Sequence, residues 1–283
     1  MHAERITESI SYHAEGPYWS DTWGGLRWVD MLAGDMQHLG PDGTTARIPT
    51  PSPVVACVRP ASSGGAVLAI EKGFALEDAD GSISPLPALW DGNVRMNEGA
   101  VAPDGSFLCG SMAYDQRRGA AAMWRLRADG TTTQLFGDLT ISNGLAFSAD
   151  GAHAFYVDTP TGRVDLFDWS DEDGLVGRRP FADLTGEDGH PDGLCLDAEG
   201  NVWVAMHGGS QVLGLDARGA VAQKISVGAR QVTACTFGGE DRSTLFITTS
   251  RENLPEGEDP AAGSLFAARP GVHGPEGELL FAG

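Results

Sequence analysis

The sequence predicts an all-β fold, a six-bladed β-propeller formed by residues 1–283 as a single domain. One observation is a recurring unit of an apolar run, a turn with Gly and Asp or Ser, and a second apolar run, which returns about every 40 to 50 residues. The other is that no long stretch shows the 3.6-residue periodicity of a helix. A β-sandwich is the competing all-β fold, but a sixfold recurrence favours the propeller.

Each copy of the unit predicts a hairpin of two short strands. The copies occupy residues 17–31, 55–70, 99–112, 144–158, 193–206 and 234–248. Glycine, which adopts positive φ without strain, stands at the turn in the first five copies, and another pair replaces it in the sixth. These turn residues are Gly25, Gly65, Gly105, Gly151 and Gly200, followed by Asp241-Arg242.

The segments between the hairpins complete the blades. Stretches such as 123–137 and 164–182 each contain two further apolar runs around a polar turn, which gives four strands per blade. The N-terminal "RITESISYHA" and the C-terminal "GSLFAARPG" both resemble strands. We therefore expect the two ends of the chain to share the last blade and close the ring.

Composition narrows the possible partners. The formal net charge of −20 argues against nucleic acid and anionic membranes, because both would repel the protein. No apolar run is long enough to span a bilayer, and no signal peptide is visible, so a cytoplasmic protein is expected. The sequence carries no signal for oligomeric state, and a monomer is the default expectation. The four cysteines lie in apolar runs without metal-type spacing, which predicts buried free thiols.

Four of the six copies place a polar residue directly before a shared glycine. These residues are Glu15, Glu98, Asn143 and Asp192, whereas copies two and six have Val54-Val55 and Thr233-Ala234 instead. Equivalent positions of a propeller surround one mouth of the central channel, so four oxygen-bearing side chains would converge there. Oxygen donors suit Ca²⁺, Mg²⁺ or Mn²⁺. Ordinary turn chemistry is the alternative explanation for each of these residues taken singly.

The same segments resemble a known family. The motifs "EGPYW", "RMNEGAVAPDGSFLCGSM", "ISNGLAFSADGAHAFYVD" and "PDGLCLDAEGNVWVAMHGG" are similar, in this order, to those of the regucalcin (senescence marker protein), gluconolactonase and luciferin-regenerating enzyme family. The resemblance runs from about residue 15 to the C-terminal "FAG". It implies a six-bladed propeller with one divalent cation in its channel and, in many members, hydrolysis of sugar lactones.

The resemblance also implies residue roles. Glu15, Asn143 and Asp192 would be the metal ligands, and Arg95 and Asn97 of "RMN" would bind the substrate. The same implied substrate site includes Glu98, where the family often has Asp, and by position Asp115. Ca²⁺ is the first expectation for the cation, and the oxygen donors also admit Mn²⁺, Mg²⁺, Zn²⁺ or Fe²⁺.

The resulting functional prediction is a metal-dependent sugar lactonase. The cation would polarise the lactone carbonyl, and Asp192 would act as the general base for the attacking water. A phosphotriesterase using the same metal and a non-catalytic calcium-binding propeller are the alternatives. The roles of His190 and His207 stay open, and the absence of a Gly-x-Ser-x-Gly motif argues against a serine hydrolase.

Overall fold

The structure, a computed structural model that describes residues 1–40 and 42–283, contains six four-stranded antiparallel sheets. In each sheet the strand nearest the axis contacts the equivalent strands of the sheets on either side, and the sixth contacts the first. The sheets are therefore the blades of a closed ring, which confirms the predicted six-bladed β-propeller.

The strands follow the chain from the axis outward, except that β1 (Glu4–Arg5) belongs to the last blade. Blades 1 to 3 contain β2 (Ala14–Ser20), β3 (Gly25–Asp30), β4 (Asp35–Leu39), β5 (Thr45–Pro49); β6 (Val55–Pro60), β7 (Ala66–Ile70), β8 (Gly73–Glu77), β9 (Ile83–Pro85); β10 (Val94–Val101), β11 (Phe107–Ala113), β12 (Ala121–Leu126) and β13 (Thr132–Leu139). Blades 4 to 6 contain β14 (Ser142–Phe147), β15 (His153–Asp158), β16 (Arg163–Ser170), β17 (Gly174–Asp183); β18 (His190–Leu196), β19 (Val202–His207), β20 (Gln211–Leu215), β21 (Val221–Ser226); β22 (Val232–Gly238), β23 (Thr244–Thr249) and β24 (Phe266–Ala268).

The two ends of the chain meet in blade 6. Strand β1 pairs antiparallel with β24, with Glu4 opposite Ala267 and Arg5 opposite Phe266. The outermost strand of this blade thus comes from the N-terminus and the other three from the C-terminal part. This confirms the predicted ring closure. Backbone hydrogen bonds hold β1 in blade 6, and the chain continues from β1 into blade 1.

The helical content of residues 1–40 and 42–283 is confined to two short 3₁₀ helices, Met31–Ala33 and Thr159–Thr161. Within those same residues, no helix is both long and apolar enough to cross a membrane.

The hydrophobic core lies between adjacent blades. Trp203 of blade 5 packs edge-on against Phe237 of blade 6 with ring centroids 5.8 Å apart. Trp19 of blade 1 stacks on Phe246 of blade 6, also at 5.8 Å. Such aromatic pairs contribute both buried area and geometric specificity. Both tryptophans therefore pack between adjacent blades.

The hairpin turns differ slightly from the prediction in the first two copies. Gly105, Gly151 and Gly200 adopt positive φ as expected, but in blades 1 and 2 this conformation falls on Gly24 and Gly64. The neighbouring Gly65 is needed for another reason, since a Cβ atom there would lie 1.7 Å from the carbonyl oxygen of Glu77. The prediction was therefore wrong by one residue at these two turns.

Candidate metal and substrate site

The four polar residues that precede a shared glycine lie at the same end of four inner strands. Glu15 is in β2, Glu98 in β10, Asn143 in β14 and Asp192 in β18. None of them is more than 6% exposed. All four belong to strands, so turn chemistry does not explain them.

A β-bulge accompanies each of these residues. The pairing register with the next strand shifts between Glu15 and Tyr18, Met96 and Glu98, Ser142 and Leu145, and Pro191 and Leu194. A bulge locally bends a strand and redirects its side chains. This is the local reason why residues on four separate blades interact with one another.

The glycine that follows each polar residue allows the inner strands to approach closely. A Cβ atom at Gly144 would lie 2.8 Å from the Asp192 carbonyl oxygen, and one at Gly193 would lie 2.4 Å from Ala234 Cβ. Any larger residue would push neighbouring blades apart at the axis. The repeated glycine therefore brings the site residues together.

Three carboxylates share this buried space. Burial raises the pKa of Glu15 well above its usual value, and the charges of Asp192 and Glu98 raise it further. The pKa of Asp192 is also raised well above its usual value, first by burial and then by Glu98, while Arg95 opposes the shift. Carboxylates crowded in this way are stabilised by a cation.

Arg95 begins a hydrogen-bond chain that leads to Asn143. Arg95 Nη1 donates to Asn97 Oδ1 at 2.6 Å, and Asn97 Nδ2 donates to Asn143 Oδ1 at 2.6 Å and to the Ser142 carbonyl at 2.8 Å. An amide nitrogen carries two protons, so both donors of Asn97 are used. Asn143 Nδ2 in turn donates to Thr159 Oγ1 at 2.7 Å. The chain fixes which way the Asn143 amide faces.

Arg59 balances the charge of Glu98, the remaining residue of the four that precede a shared glycine. Its Nη2 lies 3.1 Å from Glu98 Oε1, and the two side chains are only 8% and 6% exposed. Arg59 Nη1 also donates to the carbonyl oxygens of Gly16 at 3.1 Å and Val58 at 2.8 Å. Burial still raises the pKa of Glu98, although Arg59 opposes that shift. No local motif predicted this ion pair, because Arg59 comes from blade 2.

The chemistry of the site fits a divalent cation. Asp192 Oδ1 is buried and has no hydrogen-bond partner. Asn143 Oδ1 retains a second lone pair besides the one that accepts from Asn97, and Glu15 Oε2 accepts the Gly16 amide at 2.7 Å. Over residues 1–40 and 42–283, no group of three or more His, Cys, Asp or Glu side chains has a metal-binding arrangement. The candidate set of Glu15, Asn143 and Asp192 is not such a group, because one of its three members is an asparagine.

A histidine and an acid that sequence reasoning missed lie near Arg95. His13 Nδ1 is 2.7 Å from Ser250 Oγ and 3.4 Å from a Glu252 oxygen. Burial lowers the pKa of His13 to about 3, and the charge of Arg95 adds to this effect. Glu252 interacts with the charge of both Arg95 and Asp192. The available signal was the position of His13 two residues before Glu15.

Among the described residues, Asp115 makes no side-chain hydrogen bond or ion pair with the other predicted site residues. It lies exposed in the turn after β11, where its carboxylate accepts the Arg117 amide at 3.3 Å. Its neighbour Tyr114 lies beside Arg95, with its ring centroid 6.0 Å from Arg95 Cζ. The Tyr114 hydroxyl donates to Glu71 Oε1 at 2.9 Å.

The two histidines of β18 and β19 lie opposite each other. His190 pairs with His207 in the register of blade 5, and His190 is exposed whereas His207 is half-buried. Burial lowers the pKa of His207. Both are at the end of blade 5 that carries Asp192.

Comparisons with known proteins show the family of this chain. The family model described as "SMP-30/Gluconolactonase/LRE-like region" matches residues 13–251. A 6-deoxy-6-sulfogluconolactonase of Pseudomonas putida is 36% identical over 287 residues, covering 98% of both chains. Regucalcin of Homo sapiens is 31% identical over 265 residues, covering 89% of both chains.

Solved structures share the fold. A regucalcin of Agrobacterium tumefaciens, described as a calcium-binding protein, has a TM-score of 0.88 at 27% identity and covers 99% of this chain and 97% of its own. A luciferin-regenerating enzyme has a TM-score of 0.89 at 24% identity, with 99% of both chains covered.

Proposed function

Because this chain belongs to the SMP-30/gluconolactonase/LRE-like family, we propose that it is a sugar lactonase that depends on one divalent cation. The observation that carries the proposal is the unpartnered, buried Oδ1 of Asp192 beside Asn143 and two further carboxylates. An isolated acceptor in such a place is costly unless a cation, a water molecule or a substrate satisfies it.

Glu15, Asn143 and Asp192 would hold the cation, with Ca²⁺ as the first candidate. When bound, the cation supplies positive charge that polarises a carbonyl oxygen and makes water more acidic. Its donors would be two carboxylates and one amide, all hard oxygens. The Asn97 and Thr159 contacts hold the Asn143 amide in the orientation that this role needs.

The residues of the chain would divide the remaining work. Asp192 would hold the cation through one carboxylate oxygen and accept the proton of the attacking water through the other. Arg95, 5% exposed, would bind substrate oxygens. Asn97 would act by positioning Asn143, because both of its donors already have acceptors.

The substrate class follows from the family and from the polar lining of this mouth of the channel. One relative is named for a lactone of a sulfonated sugar, and we include such a lactone among the candidates. The enzyme is proposed to act as a cytoplasmic monomer on a small molecule, and size-exclusion chromatography with light scattering tests the monomer.

Proton release with a panel of substrates tests the proposal. Neutral aldonolactones, a sulfonated aldonolactone and a phosphotriester are each assayed before and after removal of divalent cations with a chelator. We expect lactone hydrolysis that disappears with the chelator and returns with Ca²⁺ or another divalent ion. Activity that survives complete metal removal would refute the metal dependence.

Two variants with matched chemistry separate catalysis from folding. Asp192→Asn should lose turnover and bind the cation more weakly, while Asp80→Asn should leave both unchanged, because Asp80 lies exposed in the turn between the outer strands β8 and β9. Thermal unfolding confirms that each variant is folded. Hydrolysis of the phosphotriester alone would favour the phosphotriesterase alternative, and metal binding without turnover would favour a calcium-binding propeller.

A further inference from the structure

A second recess lies at the other end of the channel. This cavity, of about 440 Å³, is lined by the far ends of the inner strands, including residues 17–19, 145–147, 194–196 and 235–237. The inner strands run from the metal-binding end towards the hairpin turns, and the lining of this cavity begins two residues beyond the site residues of three strands, at Pro17, Leu145 and Leu194. Arg59, the partner of Glu98, also lines it. The proposed lactonase activity gives this cavity no role.

Two cysteines from adjacent blades meet in the wall of this cavity. Cys195 in β18 and Cys235 in β22 both line it, and their Sγ atoms are 3.7 Å apart. Cys195 is partly exposed, whereas only 3% of Cys235 is exposed. The sequence places them 40 residues apart, so only the packing of blade 5 against blade 6 brings them together.

The backbones next to this pair are already in contact. A Cβ atom at Gly193 would lie 2.8 Å from Ala234 Cα, and these residues stand within two positions of Cys195 and Cys235. A disulfide needs Cα atoms about 4.4–6.8 Å apart and sulfurs about 2.05 Å apart. Strands in such close contact reach that geometry through a small movement of the sulfurs rather than a rearrangement of blades.

We propose that Cys195 and Cys235 form an oxidation site at which hydrogen peroxide creates a disulfide between blade 5 and blade 6. The Cys195 sulfur attacks one oxygen of the peroxide, the O–O bond breaks, and sulfenic acid and one water form. The Cys235 sulfur then attacks the Cys195 sulfur and expels the sulfenic oxygen as a second water. Two thiols lose two electrons and two protons, and one peroxide is reduced to two waters.

The other two cysteines provide an internal control. Cys57 in β6 and Cys109 in β11 belong to adjacent blades 2 and 3, are fully buried, and interact through their thiols. They do not line the cavity. They therefore share the proximity of the first pair but lack its access to a dissolved oxidant.

The rate at which Cys195 and Cys235 form a disulfide should depend on pH. Burial raises the pKa of the Cys195 thiol well above its usual value, and the adjacent Cys235 raises it further. The thiolate is the nucleophile, so it is scarce at neutral pH. Disulfide formation should accelerate about tenfold per pH unit while the thiol remains mostly protonated.

Peptide mapping of the native protein tests the proposal. Folded protein is incubated with hydrogen peroxide, remaining thiols are alkylated after denaturation, and the digest is analysed without reduction. We expect a cross-linked pair of peptides containing Cys195 and Cys235, and free Cys57 and Cys109. No such cross-link, or equal cross-linking of both cysteine pairs, would overturn the proposal.

Two variants test whether Cys195 is oxidised first and Cys235 attacks second. Cys235→Ser removes the second thiol and should leave Cys195 as a sulfenic acid that dimedone labels. Cys195→Ser should protect Cys235 from labelling, because Cys235 is less accessible. Thermal unfolding checks that both variants are folded, and dimedone labelling of Cys235 in place of Cys195 would refute the proposed order.

Discussion

Arg59→Met removes the cation that faces Glu98 inside the channel. The substitution keeps an unbranched apolar side chain but leaves a carboxylate that is 6% exposed without its partner. It also removes the donors to the Gly16 and Val58 carbonyls and the contact of the guanidinium with the Tyr18 ring, 5.2 Å from its centroid. The variant should therefore be clearly less stable than the wild type.

Breaking a buried ion pair by removing one partner typically lowers the free energy of unfolding by about 3–5 kcal/mol. For a chain of this size the thermal midpoint changes by about 2–4 °C per kcal/mol, so we expect a fall of roughly 6–20 °C. Adding Glu98→Gln removes the unpaired charge. The double variant should recover to within about 1–2 kcal/mol of the wild type, which is the cost of the remaining unsatisfied carbonyls.

The loss should also depend on pH. Glu98 has a raised pKa in the folded protein, and removal of Arg59 raises it further, so the folded state of the variant holds a proton that the unfolded state releases. Its instability should therefore be smallest below the usual pKa of glutamate, 4.5, and should grow as pH rises above it.

Denaturant unfolding in the presence of a chelator measures these differences without contributions from bound metal. Arg230→Met is the matched control, because its partner Glu258 is 3.8 Å away and both side chains are largely exposed. That exposed pair should contribute at most about 1 kcal/mol. A loss of less than about 1 kcal/mol for Arg59→Met, or no recovery on adding Glu98→Gln, would contradict the assigned ion pair.

Three further variants test other parts of the structure. Burial lowers the pKa of His13 to about 3, so its side chain is neutral in the folded protein, and the free energy of unfolding of the wild type should fall as pH drops from 6.5 towards 3. Urea titrations should show a flatter dependence of this free energy on pH for His13→Asn. An unchanged slope would show that other groups cause the dependence. Thr159→Val should weaken cation binding about tenfold in calorimetry, because it releases the Asn143 amide, and Thr159→Ser should restore the affinity. Equal affinity of the wild type and both variants would show that the Thr159–Asn143 hydrogen bond does not support cation binding. Gly193→Ala should cost about 1–3 kcal/mol in thermal unfolding, because its methyl group overlaps Ala234; wild-type stability would disprove the close approach.

The architecture was predictable because it is repeated. An isolated Asp-Gly pair such as Asp192-Gly193 is ambiguous between a turn and a strand. Four polar-glycine pairs at the same phase of a recurring hairpin are much less ambiguous, because equivalent positions in a ring are neighbours. The ring closure was visible for a similar reason, since both chain ends carry strand-like segments that β1 and β24 indeed occupy.

The partners of the site residues were not predictable from local pattern. Arg59 lies in an inner strand that lacks the polar-glycine signature, and Glu252 lies in the long connection after β23. Their relation to the site depends on how one blade packs against another, which no spacing within a blade encodes. The assignment of Asp115 to the substrate site stays a prediction, because its carboxylate lies exposed in the turn after β11 and makes no contact that fixes its role.

The charges of the cluster support a division of roles that the motif alone could not supply. Three carboxylates, of Glu15, Glu98 and Asp192, interact in the channel, and Arg59 pairs directly with one of them, Glu98. When deprotonated, Glu15 and Asp192 carry two negative charges, and neither has a paired side chain at ion-pair distance among residues 1–40 and 42–283. Two such charges would match the one divalent cation proposed above and would leave Arg95 to balance charge that develops on a substrate. Because Arg59 already balances the charge of Glu98, the proposed cation would not need Glu98 as a third carboxylate ligand for charge balance.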